Sequence, residues 1–392
     1  MSRRRGSPER AVPQRRPTSE ANRYESGYVT RYRCAVVKRA PTLNMSDLAE
    51  RAGVSIATVS RALSGAPGVS EATRNRIRHL AQDLSYSVSP DAARLARGSN
   101  GRVAVVTPNL DHWFYASMLD GIVTALHGTD LDVLLYEVKE EPERRRFFEE
   151  LPARRQVDAL IVVAMPISED ERRRLDLMGV TVVMAGGTLG ERPHVRIDDV
   201  AAGRQAAAHL ILAGHERIGM INATGEWSLE YAAPSERFRG FSDALRDAGL
   251  PLRPELVVHR PWGSQGGAEG MSRLLSLPEP PSAVVAFSDE VAFGALRTLR
   301  RAAVPIPHAL SLVGIDDHAM ADMFDLTTVH QPVAEQGQVA ARLAHEMLTA
   351  GRVGSPHVTL PTHLVVRGTT APPPPASVAR RDAHSVGPTA TG

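Results

Sequence analysis

A short stretch near the N-terminus, "AGVSIATVSRALSG" (Ala52–Gly65), holds side chains that could bind a polyanion. Its small hydroxyl residues are Ser55, Thr58, Ser60 and Ser64. Such residues are mediocre helix formers, because their side chains compete for backbone hydrogen bonds. At a helix N-terminus, however, their hydroxyls can donate to phosphate oxygens, and their small size lets the backbone approach closely. Arg61 adds a permanent positive charge to the same stretch.

Motifs for catalysis are missing from the sequence. The glycine-rich "AGGTLG" (Ala185–Gly190) follows a predicted strand but does not match G-x-G-x-x-G, and "WGSQGG" (Trp262–Gly267) is not a G-x-S-x-G nucleophile elbow. There is no H-E-x-x-H, and the histidines are scattered. The sequence therefore predicts a protein that is not an enzyme, with no cofactor and no metal site.

Three short helices are predicted around the hydroxyl-rich stretch, near residues 46–51, 56–64 and 70–84. Gly53 separates the first two helices, and Ser70 is a suitable N-cap for the third. This order predicts a helix-turn-helix, whose second helix lies in the major groove of DNA. The apolar residues facing inward are Val54, Val59 and Leu63. The exposed positions of the second helix are then Ser55, Ile56, Ala57, Ser60 and Arg61. The alternative is a small three-helix bundle without a ligand.

From Val103 onward, β-branched runs alternate with amphipathic helices. The predicted strands are "VAVVT", "LDVLLY", "ALIVVA", "VTVVMA", "RIGMI", "ELVVH", "SAVVAF" and "LSLVGI". The predicted helices cover 116–127, 168–178, 200–213, 235–249, 266–276, 289–302 and 333–350. Such alternation indicates α/β architecture with parallel sheets covered on both faces. The number of strands favours two doubly wound lobes over one.

Composition divides the chain into five segments. We predict a disordered basic extension over 1–40, a helix-turn-helix headpiece over 41–87, a hinge over 88–102, a two-lobed core over 103–370 and a disordered tail over 371–392. Residues 1–40 hold eleven Lys and Arg against three Glu. The first 102 residues carry a net charge of +11 and the remaining 290 carry −9, although the total is only +2. A basic head on an acidic body indicates that the head meets a polyanion.

The single cysteine, Cys34, excludes an internal disulfide framework and a cysteine-rich zinc site. No apolar run approaches the length of a membrane helix, and no signal peptide follows the basic N-terminus. We therefore expect a cytoplasmic protein that does not bind a membrane.

The headpiece resembles that of the lactose repressor/galactose repressor family of bacterial transcription regulators. The similarity is carried by "DLAERAGVSIATVSRALSG" and "VSEATRNRIRHLAQDLSY", and it continues to about residue 370. It implies that Ile56, Ala57 and Arg61 read bases, while Ser55, Thr58 and Ser60 contact the DNA backbone. Ile56 and Ala57 can offer only apolar contact, for which the thymine methyl is the natural target, and Arg61 suits a guanine edge.

The resemblance also predicts a hinge helix after Tyr86. The family places an alanine six residues and a leucine nine residues after this tyrosine, and Ala92 and Leu95 stand there. The family's usual Pro-Asn pair is absent, and the proline falls at Pro90 instead. Leu95 is the expected wedge in the DNA minor groove, where an apolar side chain unstacks a base step and kinks the duplex.

The body resembles periplasmic sugar-binding proteins, as the core of this family does, which implies a ligand crevice between the lobes. Four stretches match crevice positions of the family: "NLDHWFYASM", "SERFRGF", "RPWGSQGG" and the pair "FSDE" and "GIDD". The first departs from the family's usual turn at two residues. The residues expected to bind an effector are Phe114, Tyr115, Arg237, Trp262, Ser288, Asp289 and Asp316. An arginine with acceptors and aromatic rings suits a sugar, a nucleoside or a similar polyol.

The sequence thus predicts a transcription regulator, most simply a repressor, that binds a near-palindromic double-stranded DNA operator as a homodimer. A small-molecule effector, expected to be a sugar, controls the operator affinity allosterically. The alternative from a different class is a small-molecule binding protein with a vestigial headpiece.

Overall fold

A computed structural model of the chain describes residues 44–84, 86, 99–150, 156–224, 232–350, 354 and 356–373. The predicted extension over 1–40, most of the predicted hinge and nearly all of the predicted tail lie outside these residues. The chain divides into two compact units, Met1–Val88 and Ser89–Gly392.

The first unit contains the three predicted helices: α1 (Met45–Ala52), α2 (Ile56–Ser64) and α3 (Glu71–Asp83). Asn44 begins α1 with a capping box, in which its Oδ1 accepts from the Asp47 N–H at 3.0 Å and Asp47 Oδ2 accepts from the Asn44 N–H at 2.9 Å. Gly53 ends α1 in the left-handed conformation at φ 63°, which glycine adopts without strain. Local capping signals therefore set the boundaries that the sequence predicted.

A small apolar core holds these helices together. Leu48, Val59 and Ile77 are at most 1% exposed, and Val54 and Leu63 pack against them as predicted. Because one face of α2 is buried in this way, its opposite face is left to solvent.

The first lobe of the second unit contains a parallel sheet in the order β11-β5-β4-β3-β1-β2. Its strands are β1 (Arg102–Thr107), β2 (Asp132–Glu137), β3 (Ala159–Val163), β4 (Thr181–Ala185), β5 (His194–Ile197) and β11 (His357–Leu360). Its helices are α4 (Trp113–Leu126), α5 (Glu141–Glu150), α6 (Glu169–Met178) and α11 (Val333–Thr349). Every residue of β3 is buried, as continuous apolar runs predict for a parallel sheet.

The second lobe has the sheet order β12-β10-β9-β8-β6-β7, in which only β12 runs antiparallel to its neighbour. Its strands are β6 (Ile218–Thr224), β7 (Val257–Pro261), β8 (Ala283–Ala286), β9 (Ser311–Asp316), β10 (Thr327–His330) and β12 (His363–Val365). Its helices are α7 (Asp199–Leu212), α8 (Ala232–Asp247), α9 (Ser264–Leu275) and α10 (Asp289–Arg301). Two doubly wound lobes are thereby confirmed.

The chain passes between the lobes three times, at Asp198, at residues 331–332 and at residues 361–362. Near the second passage, α11 packs closely on α4. A Cβ added at Gly121 would lie 1.9 Å from the Ala334 carbonyl oxygen, so only glycine permits this approach. In the part of the chain that the structure describes, no helix has the length and hydropathy to span a membrane.

Five elements were missed by the sequence-based prediction. The strands β5, β10, β11 and β12 have only three or four residues, and the helix α5 has the highly charged sequence "EPERRRFFEE". Short strands and helices with few apolar residues give no clear hydrophobic period, and tertiary packing decides their structure instead.

Candidate functional site

Helix α2 presents the predicted DNA-reading residues on its solvent face. Ser55, Ile56, Ala57, Ser60 and Arg61 are exposed, and Thr58 is half-buried. Ile56 is 49% exposed although it is apolar, so this side chain serves neither the headpiece core nor solubility. An apolar side chain held outward on a recognition helix can contact a thymine methyl.

The hydroxyls of α2 have a structural role that the sequence-based prediction did not give them. Ser55 is the N-cap of the helix: its Oγ accepts from the Thr58 N–H at 3.2 Å and lies 2.9 Å from Thr58 Oγ1. The first turn of α2 contains no acidic residue, so the positive end of the helix dipole is not neutralised from within. This end suits a phosphate oxygen.

The predicted hinge residues Ala92 and Leu95 lie outside the described residues. Their roles in DNA binding stay predictions.

In the second unit, Arg237 on α8 lies among buried acidic groups where the lobes meet. Its Nε donates to Asp199 Oδ1 at 2.8 Å, and its Nη1 donates to the Phe287 carbonyl oxygen at 2.6 Å. Asp316 Oδ1, at the end of β9, is 3.8 Å from Nη1. The side chains of Arg237, Asp199 and Asp316 are 5%, 10% and 4% exposed. The fold therefore brings together Arg237 and Asp316, which the sequence predicted as effector residues.

Asp316 is held in an unusual environment. Its backbone has φ 139°, and its Oδ1 accepts from Gln331 Nε2 at 2.6 Å. Burial raises the pKa of its carboxyl well above the ordinary value, although the positive charge of Arg237 opposes that shift. In its protonated form this carboxyl can both donate and accept hydrogen bonds, which suits a ligand hydroxyl.

Asp289 is directed away from the crevice, toward its own lobe. Its two carboxylate oxygens accept from the Thr328 hydroxyl at 2.6 Å and the His318 N–H at 2.8 Å. Burial raises its pKa to about 7. Because both oxygens are engaged within the second lobe, Asp289 is the least suited of the predicted effector residues.

The aromatic residues form one cluster. Trp262 Nε1 donates to Ser288 Oγ at 3.0 Å, and Ser288 also caps α10. Phe114 and Tyr115, on α4, are 7% and 6% exposed, with ring centroids 6.3 and 5.6 Å from that of Trp262. The structure brings these predicted residues together, and the hydrogen bond from Trp262 to Ser288 orients the indole.

The sequence-based prediction missed several polar residues of this region. A small cavity is lined by Phe114, Gly186, Ile197, Asp199, Ala233, Arg237, Gln331 and Gln336. Gln336 is 1% exposed, and its buried Oε1 accepts no hydrogen bond from the residues that the structure describes. Gln331 directly follows the short strand β10 and Asp199 lies two residues after the short strand β5, so a recognised strand end would have been the signal for them. Nothing in the local sequence singles out Gln336.

Two family profiles match the chain. Residues 44–89 match "Bacterial regulatory proteins, lacI family", and residues 207–370 match "Periplasmic binding protein-like domain". The first range contains the three headpiece helices, and the second runs from within α7 through the rest of the second lobe, α11 and the last strands.

Known proteins similar to this chain align over almost their full length. The HTH-type transcriptional repressor CytR of Escherichia coli (strain K12) is 31% identical over 339 residues, which span 85% of this chain and 98% of CytR. The HTH-type transcriptional regulator CelR of Thermobifida fusca is 31% identical over 341 residues, 84% of this chain and 98% of CelR.

Solved structures agree in fold. A complex of the transcriptional regulator CelR with cellobiose has a TM-score of 0.63 at 29% identity and covers 83% of this chain and 99% of its own. The lac repressor dimer bound to operator and the anti-inducer ONPF has a TM-score of 0.75 at 22% identity, with 84% and 99% coverage, which shows the shared fold alone. The chain belongs to the lacI family of bacterial regulatory proteins.

Proposed function

We propose that the protein is a transcription repressor whose affinity for operator DNA is controlled by a small molecule bound between its two lobes. The observation that carries this proposal is the outward face of α2, where Ile56 and Arg61 are exposed while Val59 is fully buried. The similarity to CytR, a transcriptional repressor, over 98% of its length supports it.

The DNA half of the proposal gives each exposed residue of α2 a role. Arg61 reads a guanine through its O6 and N7 acceptors, and Ile56 and Ala57 contact thymine methyl groups. Ser55, Thr58 and Ser60 lie against the phosphate backbone. As a homodimer, the protein presents two copies of α2 to the half-sites of a near-palindromic operator.

The effector half rests on the buried polar groups beside the aromatic cluster. Arg237 and Gln331 offer donors, whereas Asp316 and the Oε1 of Gln336 offer acceptors. Buried polar groups of both kinds match the hydroxyls of a sugar, and Phe114, which lines the same small cavity, offers an apolar surface for its ring. The relatives solved with cellobiose and with ribose support this ligand class.

A salt-controlled binding titration tests the DNA half. An operator is first selected from genomic fragments, and affinities for operator and random DNA are then compared. Arg61→Ala should weaken operator binding by about 10- to 100-fold, which corresponds to ~1–3 kcal/mol, with a much smaller loss on random DNA. Arg78→Ala removes one exposed charge from α3 and serves as the matched control, with equal losses on both DNAs.

Two outcomes would count against the proposal. Equal losses of operator and random affinity in Arg61→Ala would remove base reading from this residue. If the full chain retains no genomic fragment at all, the vestigial-headpiece alternative takes its place.

Thermal-shift screening of sugars and nucleosides tests the effector half, because a ligand that binds the folded state raises the melting temperature by mass action. Asp316→Asn and Gln336→Leu should both reduce the shift given by a hit. A full shift in both variants would place the effector elsewhere.

A further inference from the structure

The first helix of the core, α4, lacks a cap of its own. His112 occupies its N-cap position without a capping side-chain hydrogen bond, and no acidic residue lies in the first turn. Helix N-termini carry unsatisfied N–H groups and a partial positive charge, so a missing cap normally destabilises the first turn.

The cap comes from the other lobe. Glu290, on α10 of the second lobe, accepts from the Trp113 N–H through Oε1 at 3.3 Å. Its Oε2 lies 2.7 Å from His112 Nδ1. The His112 and Glu290 side chains are 14% and 20% exposed, so solvent screens this contact less than it screens a surface pair.

Glu290 stands at the first turn of two helices at once. It is the second residue of α10, and its carboxylate bonds the first residue of α4. The positive ends of both dipoles therefore meet at one carboxylate, which stabilises each of them. Asp289 also lies in the first turn of α10, whereas the first turn of α4 holds no acidic residue, so loss of the Glu290 carboxylate affects α4 most.

Ring contacts accompany this cap. The imidazole of His112 stacks on the indole of Trp262 with centroids 4.4 Å apart and planes 3° from parallel. The ring of Trp113 lies 4.8 Å from that of His318. The start of α4 is thus joined to the second lobe by a helix cap, a side-chain hydrogen bond and two ring contacts.

We propose that Glu290 is an interlobe cap: a positioning residue that holds the two lobes together at the start of α4 and keeps His112 against Trp262. Resting on the proposed function, Glu290 also favours the arrangement of the lobes that forms the effector crevice. A variant without the cap spends more time open and binds an effector from the same screen more weakly.

The test measures the distance between the lobes in the full chain without effector or DNA. Spin labels are placed at two exposed positions, Glu149→Cys in the first lobe and Arg273→Cys in the second, in a Cys34→Ser background. Loss of a helix cap changes an equilibrium between two conformations by about tenfold. Glu290→Ala should therefore raise the ratio of long to short distances by about that factor.

Graded variants separate the cap from general damage to the fold. Glu290→Gln keeps an oxygen that can accept from Trp113 and should fall between wild type and Glu290→Ala. His112→Ala breaks the same contact from the first lobe, and it carries the test if Glu290→Ala does not fold. Glu269→Gln alters an exposed carboxylate whose contacts stay within the second lobe, and it should match wild type.

Distance distributions identical to wild type in both Glu290→Ala and His112→Ala would overturn the inference. Because the measurement uses neither effector nor DNA, this failure leaves the proposed function standing. If the wild-type chain binds no genomic DNA fragment, the proposed function is refuted, whereas the inference about Glu290 is unaffected.

Discussion

Replacement of Arg237 by methionine should destabilise the core far more than an ordinary surface change. The guanidinium lies against Asp199 at 2.8 Å and the Phe287 carbonyl oxygen at 2.6 Å, with Asp316 at 3.8 Å. It also covers the Phe287 ring, whose centroid is 4.6 Å from Cζ. Methionine fills similar space but leaves two nearly buried carboxyl groups without their cation.

Removing one partner of a buried ion pair typically costs about 3–5 kcal/mol, because the remaining charge stays buried and unpaired. Arg237→Met should lower the free energy of unfolding of the core by that amount. The loss should be larger at pH 8 than at pH 5. Burial raises the pKa of Asp316, and the charge of Arg237 opposes that rise, so removing Arg237 raises the pKa of Asp316 further. An acidic group whose pKa is higher in the folded than in the unfolded protein makes the folded protein less stable as pH rises.

Urea unfolding followed by circular dichroism measures the effect at both pH values. Arg239→Met is the matched control, because Arg239 is an exposed arginine on the same helix and should change stability by less than about 0.5 kcal/mol. The double variant Arg237→Met/Asp199→Asn should recover part of the loss by removing one stranded charge. Equal stability of Arg237→Met and Arg239→Met would refute the reasoning. If an Arg237 variant shows no thermal shift with an effector, the stability of that variant must be measured before the result is taken as loss of effector binding.

Three further changes test the fold around the sites. Asp158→Asn should destabilise the start of β1 and flatten the acid limb of the pH–stability profile. Burial raises the pKa of this carboxyl, but hydrogen bonds from residues 99–102 outweigh burial and lower it overall, so its contribution is lost as pH falls. Asp289→Asn should remove a decline in melting temperature between about pH 4 and 7, because burial raises the Asp289 pKa from 3.8 to about 7 and its ionisation opposes folding. Gly121→Ala should cost about 1–3 kcal/mol in urea unfolding, since the new Cβ would meet the Ala334 carbonyl oxygen, whereas Gly187→Ala, with open space around it, should be near neutral.

Much of the fold follows from local signals. Ser70 as the cap of α3 and Gly53 as the end of α1 were predicted from the sequence, whereas the caps Asn44 and Ser55 were not. Eight strands follow from continuous apolar runs. The strands β10 and β12 of the second lobe were not predicted. Both are short and lack a continuous apolar run, and their structure depends on pairing with neighbouring strands.

The family resemblance predicted Arg237 and Asp316 as effector residues, and the structure places them 3.8 Å apart although they are distant in the chain. Their role in effector binding stays a prediction. The contact between Glu290 and His112 was not predicted, because it depends on the relative placement of two lobes, which no periodicity encodes. The Ser55 hydroxyl caps α2 in the structure. The contact of the same residue with a DNA phosphate stays a prediction.

The three passages of the chain between the lobes also limit how such a gene can be rearranged. The first lobe is encoded by two separate segments, because β11 and α11 follow the second lobe's β6 to β10. A single crossover between two related genes can therefore never exchange one intact lobe for another. The headpiece helices, in contrast, are encoded by one uninterrupted stretch and can be exchanged whole.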